Sequence, residues 1–381
     1  MKKTQRNEPV IDPEEILEGI RGWVAVESPS HDAAAVNRMV DLAGKDMAAI
    51  GAKLERTPGR DGYGDILKAR MPWGEGKGIL VLSHLDTVHP IGMAQKELKF
   101  RREGDSVFGA GIYDMKGGAY IAHYALRHLV RSGRQTPLPV TFLFIPEEEV
   151  GSPTSRQAIE AEARNAKYVL VTEPARDGGK IVTGRRGAAR YDIRVKGRAS
   201  HAGLRHEDGR SAIKEMARQI LVVEDFTDYK RAITTSVGLI QGGTGINVVP
   251  AECTAGVDMR FPDKAVFEAV HARFMALKPI GPDVQVHVDG GETRPAYAKN
   301  EGIAKLFDHA RALAKEIGFE LGEVTQTGGG SDGNFTGAMG IPTLDGLGVD
   351  GKGAHTDYEQ MYYSSLVPRT RLFLRLLETL E

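Results

Sequence analysis

Cysteine is almost absent from this 381-residue chain, because Cys253 is the only one. A single cysteine excludes intramolecular disulfides and cannot build a cysteine-based zinc site. Any metal bound by this chain is therefore expected to be held by His, Asp and Glu side chains.

Long apolar runs and a large net charge of either sign are also missing. No uninterrupted apolar stretch is long enough to span a bilayer. Residues 1–13 contain two lysines but no apolar run behind them, which argues against a secretion signal. The formal net charge is −1, so no overall field attracts nucleic acid or a membrane surface. We therefore expect a cytoplasmic protein with no nucleic-acid and no membrane partner.

The length and the apolar patterning predict two domains and an α/β fold. A chain of 381 residues is too long for one ordinary core. Continuous apolar runs at 78–83, 140–145 and 167–171 are typical of strands buried on both faces. Helical patterns at 116–131 and 155–163 separate them. This alternation predicts a mostly parallel sheet covered by helices.

A second domain is predicted as an insertion at 186–296. The pattern changes near residue 183 to the order β-α-β-β-α-β, which is a compact ferredoxin-like unit. Its predicted strands lie near 191–195, 236–240, 252–259 and 284–288, and its helices lie near 210–223 and 264–277. The α/β pattern then returns, so the first domain is predicted to be discontinuous, comprising 1–185 and 297–381.

Acidic and imidazole side chains follow the three buried strands directly. His84 and Asp86 follow the first strand, the glutamates at 147–149 follow the second, and Glu173 follows the third. The carboxyl ends of the strands form the ligand crevice of an open α/β sheet, so these side chains are expected to converge.

Asp114, in a glycine-rich stretch, and His355, in the returning segment, could join the same crevice. Carboxylates mixed with imidazoles suit zinc or a similar divalent ion, and two such ions about 3.5–4 Å apart can share a carboxylate and polarise one water. Each residue also has an ordinary explanation. His84 could be a hydrogen-bonded loop residue, Asp114 a helix cap and the three glutamates a solvated turn.

Five short motifs in order carry a family resemblance. They are Ser-His-Leu-Asp-Thr-Val at 83–88, Gly-Ile-Tyr-Asp-Met-Lys-Gly-Gly at 111–118, Glu-Glu-Glu-Val-Gly-Ser at 147–152, Thr-Glu-Pro at 172–174 and Ser-His-Ala-Gly at 200–203. Together they resemble the cocatalytic dizinc peptidases, which include glutamate carboxypeptidase, aminoacylase, acetylornithine deacetylase and succinyl-diaminopimelate desuccinylase. Glutamate carboxypeptidase is the closest in appearance, and the likeness covers nearly the whole chain.

The resemblance implies two divalent metal ions, zinc first and cobalt or manganese as alternatives. The ligands that it implies are Asp114 as the bridging carboxylate, His84 and Glu173 on one ion, and Glu149 and His355 on the other. Asp86 would orient the His84 ring, and Glu148 would be the general base. Glu147 stands where the family usually has Asp, and we interpret it as an ordinary acid of a helical first turn.

The resemblance also assigns a role to the inserted domain, as a lid and dimerisation domain. His201 resembles the histidine that reaches a neighbouring active site across a dimer and stabilises an oxyanion. The alternative is a solvated loop histidine. We therefore expect a homodimer or a higher homo-oligomer.

Substrate-binding residues are implied in two places. Asn247 and Arg260 match positions that bind a substrate carboxylate in the carboxypeptidase branch, although Arg260 could instead pair with Asp258 on the same strand face. The stretch at 328–334 resembles a platform near the scissile group, and its alternative is a flexible turn. The platform residues are Gly329, Gly330 and Ser331.

The expected function is hydrolysis of an amide bond in a small molecule or short peptide that carries a carboxylate, releasing a C-terminal acidic amino acid. One alternative is a deacylase acting on N-acyl amino acids or succinylated diamines. Another is a different C–N hydrolysis, such as deamination. An alternative of another class is a non-catalytic metal or ligand binder, but a base such as Glu148 beside Glu149 argues against it, since a binder needs none.

Overall fold

A computed structural model describes residues 10–381. The described residues form nine α-helices, which in chain order are α1 (Pro13–Val24), α2 (Ala33–Ala49), α3 (Gly117–Arg131), α4 (Arg156–Arg164), α5 (Ala212–Glu224), α6 (Lys264–Met275), α7 (Glu301–Ile317), α8 (Gly333–Ala338) and α9 (Leu366–Thr379). Several begin at a side-chain cap. Asp12 accepts a hydrogen bond from the backbone of α1, and Asn300 does the same for α7, which satisfies amides that have no partner inside the helix.

The strands of residues 10–381 are, in chain order, β1 (Lys53–Thr57), β2 (Ile66–Arg70), β3 (Gly78–His84), β4 (Arg101–Glu103), β5 (Ser106–Phe108), β6 (Val140–Ile145), β7 (Ala166–Val171), β8 (Ile181–Val182), β9 (Gly187–Lys196), β10 (Ser200–His201), β11 (Thr234–Gly242), β12 (Val248–Val249), β13 (Glu252–Phe261), β14 (Gln285–Arg294), β15 (Glu323–Val324), β16 (Thr343–Leu344), β17 (Gly351–Lys352) and β18 (Gln360–Tyr362). The chain divides into two compact units. The first comprises the residues up to Gly184 together with Lys299–Thr325 and Ser331–Glu381, and the second comprises Arg185–Ala298 and Gln326–Gly330.

The first unit is built on a six-stranded sheet with the order β1-β2-β6-β3-β7-β16. Strands β6, β3, β7 and β16 are parallel, whereas β2 and β1 extend the sheet in antiparallel fashion. Every residue of β3 and β6 is buried, as expected for strands covered on both faces. The predicted α/β class with a mostly parallel sheet is confirmed.

The core of this sheet follows from the alternation of its side chains. Leu80 and Leu82 of β3 belong to a buried cluster that includes Ile159 of α4 and Phe335 of α8. Val81 points to the opposite face and is also fully buried. Because helices occupy both faces, the crevice for ligands is left at the strand ends.

The second unit is a four-stranded antiparallel sheet with the order β11-β13-β9-β14, and α5 and α6 pack against it. Buried and exposed residues alternate along β9, where Tyr191, Ile193 and Val195 enter the core and the residues between them face solvent. This pattern is typical of a sheet with one covered face. The predicted β-α-β-β-α-β order is therefore confirmed. Residues 326–330 also belong to this unit, and no pattern in the sequence predicted that.

Within residues 10–381, no helix combines the length and the apolar character that crossing a membrane requires. Residues 1–9, for which the sequence predicts no secretion signal, lie outside the described residues.

A buried histidine in the first unit generates a pH prediction. His123 of α3 is buried beside the Trp23 ring, and burial lowers its pKa to about 3, with the charges of Arg127 and Arg131 acting in the same direction. The unfolded chain takes up this proton below about pH 6.5, while the folded chain does not. This group therefore lowers stability as the pH falls from 7 to 5, by about 2 kcal/mol.

The variant His123→Gln should lose this contribution, so its free energy of unfolding should change less between pH 7 and pH 5 than that of the native chain. Urea unfolding at the two pH values measures the difference. Equal pH dependence in both proteins would contradict the assignment.

Candidate metal centre

Three adjacent parallel strands bring the acidic and imidazole side chains to one edge of the sheet. His84 is the last residue of β3 and pairs with Ile145, the last residue of β6. On the other side of β3, Leu82 pairs with Val171, the last residue of β7. The segments that follow these strands therefore leave the sheet side by side, and they carry the candidate ligands.

His84 lies at the centre of the cluster. Its ring is buried, with Nε2 at 3.2 Å from Asp114 Oδ1 and 3.8 Å from Glu173 Oε1. The other ring nitrogen, Nδ1, faces Asp86, at 3.0 Å from its backbone oxygen and 3.4 Å from Oδ1. One side of the ring is thus held by Asp86, and the other points to carboxylates.

The carboxylate of Asp114 lies between the two histidines. Its Oδ1 faces His84, and its Oδ2 is 3.4 Å from His355 Nε2. Asp114 lies in the turn Ile112–Lys116, directly before α3. Gly111 starts this turn with φ of 71°, and a Cβ there would approach Thr87 to 2.5 Å, so the turn requires glycine.

Glu149 and His355 form the second side of the cluster. Their Oε2 and Nε2 atoms are 3.0 Å apart, and His355 has a left-handed backbone with φ of 65°. The other carboxylate oxygen of Glu149, Oε1, is buried and has no hydrogen-bond partner among residues 10–381. A buried acceptor without a partner is costly, and a cation beside it would supply the missing interaction.

Two sets of three donor atoms lie within 4.8 Å of one another. One set is His84, Glu148 and Glu173, and the other is His84, Asp114 and Glu149. Carboxylate oxygens and imidazole nitrogens are the ligands that zinc and similar divalent ions take in proteins. The side chains therefore fit a metal centre. Glu148 is close enough to be a ligand as well as a base.

The pKa values respond to this crowding. Hydrogen bonds to Asp114 and Glu149 raise the pKa of His355 to about 11. Burial alone would lower the pKa of His84, but its bonds to Asp114 and Asp86 outweigh burial and raise it. Burial would raise the pKa of Asp114, yet the two histidines lower it. Burial and then the charge of Asp114 raise the pKa of Glu149.

Asp86, which follows β3, connects the end of this strand to the glutamate turn that follows β6. Its fully buried carboxylate accepts the backbone N–H groups of Glu148 at 3.1 Å and Glu149 at 3.2 Å, and the Ser30 hydroxyl at 2.6 Å. It therefore holds the backbone of the glutamate turn as well as facing the His84 ring. Ser30 was not indicated by the sequence, because nothing local marks a partner 56 positions away.

Glu147 differs from its interpretation as an ordinary acid of a first turn. It is fully buried and accepts hydrogen bonds from the backbone and hydroxyl groups of both Thr154 and Ser155. These bonds close the loop that follows the glutamates. The interpretation was wrong because three successive glutamates look solvated in sequence, while the partners of Glu147 lie seven and eight positions ahead.

Glu359 is a further residue that the sequence did not indicate. This fully buried carboxylate accepts the backbone N–H groups of Gly111, Tyr113 and Asp114. It lies four positions after His355, and that spacing from a candidate ligand was the only available signal.

In the second unit, His201 and Asn247 lie next to each other. His201 of β10 pairs with Val248 of β12, and the backbone oxygen of Asn247 accepts from Ala202 at 2.9 Å. Both side chains belong to exposed residues. His201 Nδ1 accepts the backbone N–H groups of Gly203 and Leu204, each at 3.1 Å.

Arg260 forms a two-pronged ion pair with Asp258. Its Nε and Nη2 atoms are 2.7 and 2.9 Å from the two carboxylate oxygens, and its Nη1 donates to Gly328 O at 3.4 Å. The sequence left two interpretations of Arg260, binding of a substrate carboxylate or pairing with Asp258, and in this structure Arg260 pairs with Asp258.

The glycine-rich stretch is well anchored. The guanidinium of Arg185 donates to the backbone oxygens of Gly329 at 2.8 Å and Gly330 at 3.2 Å. The buried Ser331 hydroxyl donates to Asp345 and accepts the Gly333 N–H. The hydroxyl proton of Ser331 is therefore already engaged in the hydrogen bond to Asp345.

A parallel α/β sheet with imidazoles and carboxylates gathered at its strand ends defines a metal-dependent hydrolase. The sequence matches peptidase family M20/M25/M40 over residues 80–379, and the chain belongs to that family. The chain is accordingly a metallohydrolase of the carboxypeptidase and aminoacylase type, and the family predicted from the sequence motifs is confirmed.

Curated relatives agree with this assignment, and a solved structure shares the fold. Carboxypeptidase G2 of Pseudomonas sp. (strain RS-16) is 32% identical over 94% of this chain and 87% of the relative. Succinyl-diaminopimelate desuccinylase of Dechloromonas aromatica is 27% identical over 72% of this chain and 75% of the relative. The fold is similar to that of an M20 family metallo-carboxypeptidase from Sulfolobus solfataricus, with a TM-score of 0.76, 17% identity and coverage of 96% and 100%.

Metal uptake should release protons from this cluster. At pH 7 His355 and His84 carry a proton in the metal-free protein, since their pKa values are raised, and each must be neutral to bind a metal. Glu149, whose pKa burial and the charge of Asp114 raise to about 8, must also lose its proton, so filling the cluster with zinc should release up to about three protons. Calorimetric titration in two buffers of different ionisation enthalpy measures this number.

The variant His355→Gln provides the control and should release about one proton fewer. Zinc binding with no net proton release at pH 7 would contradict the raised pKa values of His84 and His355 in the metal-free chain.

Proposed function

We propose that this chain hydrolyses the amide bond of a carboxylate-bearing substrate, in the manner of a carboxypeptidase, with two divalent ions in the cluster. The main support for this proposal is the position of the Asp114 carboxylate, which has Oδ1 facing His84 and Oδ2 facing His355. A carboxylate with one oxygen toward each of two donor sets is suited to bridge a pair of ions.

The residues that would hold the ions fall on the two sides of Asp114. His84 and Glu173 would bind one ion, and Glu149 and His355 the other. The unpartnered Oε1 of Glu149 supports an ion on that side. Zinc is the first candidate, with cobalt and manganese as alternatives. When bound, the ions would polarise a water molecule and the substrate carbonyl.

Glu148 would act as the general base. Its backbone is fixed by the hydrogen bond from its N–H to Asp86 Oδ1, and its carboxylate lies within the donor set of His84 and Glu173. It would take a proton from the attacking water and pass it to the leaving amide nitrogen. Asp86 would hold the His84 ring in the orientation that leaves Nε2 toward the ions.

His201 would donate a hydrogen bond to the oxyanion. Because its Nδ1 accepts two backbone N–H groups, the neutral ring carries its proton on Nε2. A fixed N–H donor on an exposed histidine is suited to stabilise a developing negative charge. We propose that it serves the active site of a second copy of the chain, the second unit (186–296 by the sequence) being a lid and dimerisation domain.

An unpaired strand edge supports a homodimer. β11 is at the edge of its sheet, and its Leu239 and Ile240 are 75% and 58% exposed. An exposed edge with apolar side chains is a template for pairing with another chain. Pairing of two β11 strands would join the two sheets through backbone hydrogen bonds and would reduce the exposure of these side chains.

The substrate carboxylate would be bound from the second unit by Asn247 and Arg260. A guanidinium matches a carboxylate bidentately, but Arg260 must first exchange its pairing with Asp258. Gly329, Gly330 and Ser331 would line the substrate through their backbone. The hydrogen bonds from Arg185 hold the backbone carbonyls of Gly329 and Gly330 in place, which supports this role. The Ser331 hydroxyl already donates its proton to Asp345, so it offers no further donor to the substrate.

The 32% identity with carboxypeptidase G2 favours release of a C-terminal residue. That this residue is acidic is what the motif resemblance to glutamate carboxypeptidase implies. The desuccinylase relative favours a deacylase as the second candidate. An assay of folate-like glutamates, N-acyl amino acids and succinylated diamines side by side, with zinc, cobalt or manganese added, separates the two. Fastest turnover of the folate-like glutamates supports the carboxypeptidase proposal. Turnover of succinylated diamines alone would contradict it and would favour the deacylase.

Replacing the proposed base gives a direct prediction. The variant Glu148→Gln should bind zinc with little change but lose about 10²–10⁴-fold in kcat, because an amide cannot accept the proton. Steady-state kinetics and metal analysis measure the two effects. If zinc is lost together with activity, Glu148 is a ligand, and if activity remains, it is not the base.

Mixing two inactive variants tests the role of His201 across a dimer. Hybrids of Glu148→Gln and His201→Ala chains would contain one site with an intact Glu148 and a His201 supplied by the other chain. Isolated hybrids with two different tags should recover about half of the native activity per dimer. Each variant alone remains nearly inactive. Hybrids with no recovery would contradict action in trans.

A further inference from the structure

The Glu359 carboxylate has a set of partners that the proposed mechanism does not use. Oε1 accepts the backbone N–H groups of Tyr113 at 2.8 Å and Asp114 at 2.9 Å. Oε2 accepts the N–H of Gly111 at 3.0 Å and is in hydrogen-bond contact with His89 Nε2. The side chain is fully buried. A buried carboxylate is tolerated only with such a complete set of donors.

Glu359 and its partners come from three separate segments of the first unit. His89 follows β3 in the segment that begins with His84 and Asp86. Gly111, Tyr113 and Asp114 belong to the turn before α3. Glu359 itself closes the loop that carries His355, between β17 and β18. One carboxylate therefore joins the three segments that supply His84, Asp114 and His355, although they are up to 270 positions apart.

The contact with Asp114 is direct at the backbone. The Asp114 N–H that Glu359 accepts belongs to the same residue whose carboxylate faces both histidines. On the amino-terminal side of Asp114, Glu359 also accepts from the backbone N–H groups of Gly111 and Tyr113. The turn could not shift without breaking several charge-assisted hydrogen bonds at once.

We infer that Glu359 is a positioning residue that sets the affinity of the metal centre by fixing Asp114 relative to His84 and His355. This rests on the proposed metal centre. The residue does not touch substrate or the reacting atoms. It lowers the cost of holding the ligands in place before metal arrives, so its removal weakens metal binding more than it slows the reaction of the metal-loaded enzyme.

The variant Glu359→Gln tests this inference in the full-length chain. An amide presents an NH₂ group to one of the two pairs of donors, so at least one backbone N–H loses its acceptor. The affinity for zinc, measured by competition with a chromophoric chelator, should fall about 10–100-fold. With saturating zinc, kcat should return to within about threefold of the native value.

Glu215→Gln is the matched control. Glu215 is a buried carboxylate of the second unit and accepts the backbone N–H groups of Ile280 and Gly281. Its replacement removes the same kind of bond and should lower the midpoint of thermal unfolding without changing the affinity for zinc. A purely structural role of Glu359 would give this same pattern, so an unchanged zinc affinity in Glu359→Gln overturns the inference.

A second variant covers the case in which Glu359→Gln does not fold, which circular dichroism shows. His89→Ala keeps Glu359 and all its backbone donors but detaches the segment after β3. Its zinc affinity should fall about threefold or more, and an affinity equal to the native one overturns the inference. Failure of the native chain to bind any divalent ion would instead refute the metal centre itself, so the two failures are distinguishable.

Discussion

The repulsion between carboxylates at one edge of the sheet is the constraint that shapes the first unit. Asp114, Glu148, Glu149 and Glu173 converge there, and the imidazoles of His84 and His355 lie among them. Cations bound in such a cluster, or protons held on it, relieve this repulsion. Burial and then the charge of Asp114 raise the pKa of Glu149 in the metal-free chain. The buried Asp86 and Glu359 hold the surrounding backbone through N–H groups, so the cluster cannot relax by moving apart.

The part of this arrangement that strand geometry controls could be predicted from the sequence. Parallel strands place their carboxyl ends together, so apolar runs followed by His84, the glutamates at 147–149 and Glu173 were sufficient to predict convergence. These patterns are local, and each is visible within ten residues.

The remaining features depend on contacts that no local pattern encodes. Asp114 and His355 lie in loops whose positions are set by Glu359, and that carboxylate acts across about 245 positions. The antiparallel strands β1 and β2 are too short and too polar to stand out. Arg260 has two available partners, Asp258 and a substrate, and only the free energies of the two pairings decide between them.

The location of bound metal tests the account most directly. Crystals of the chain grown with zinc, with data collected on both sides of the zinc absorption edge, should show two anomalous peaks flanking the Asp114 carboxylate. One should lie beside His84 and Glu173, and the other beside Glu149 and His355. A peak at a different place, or no peak at these side chains in zinc-saturated crystals, would contradict the account.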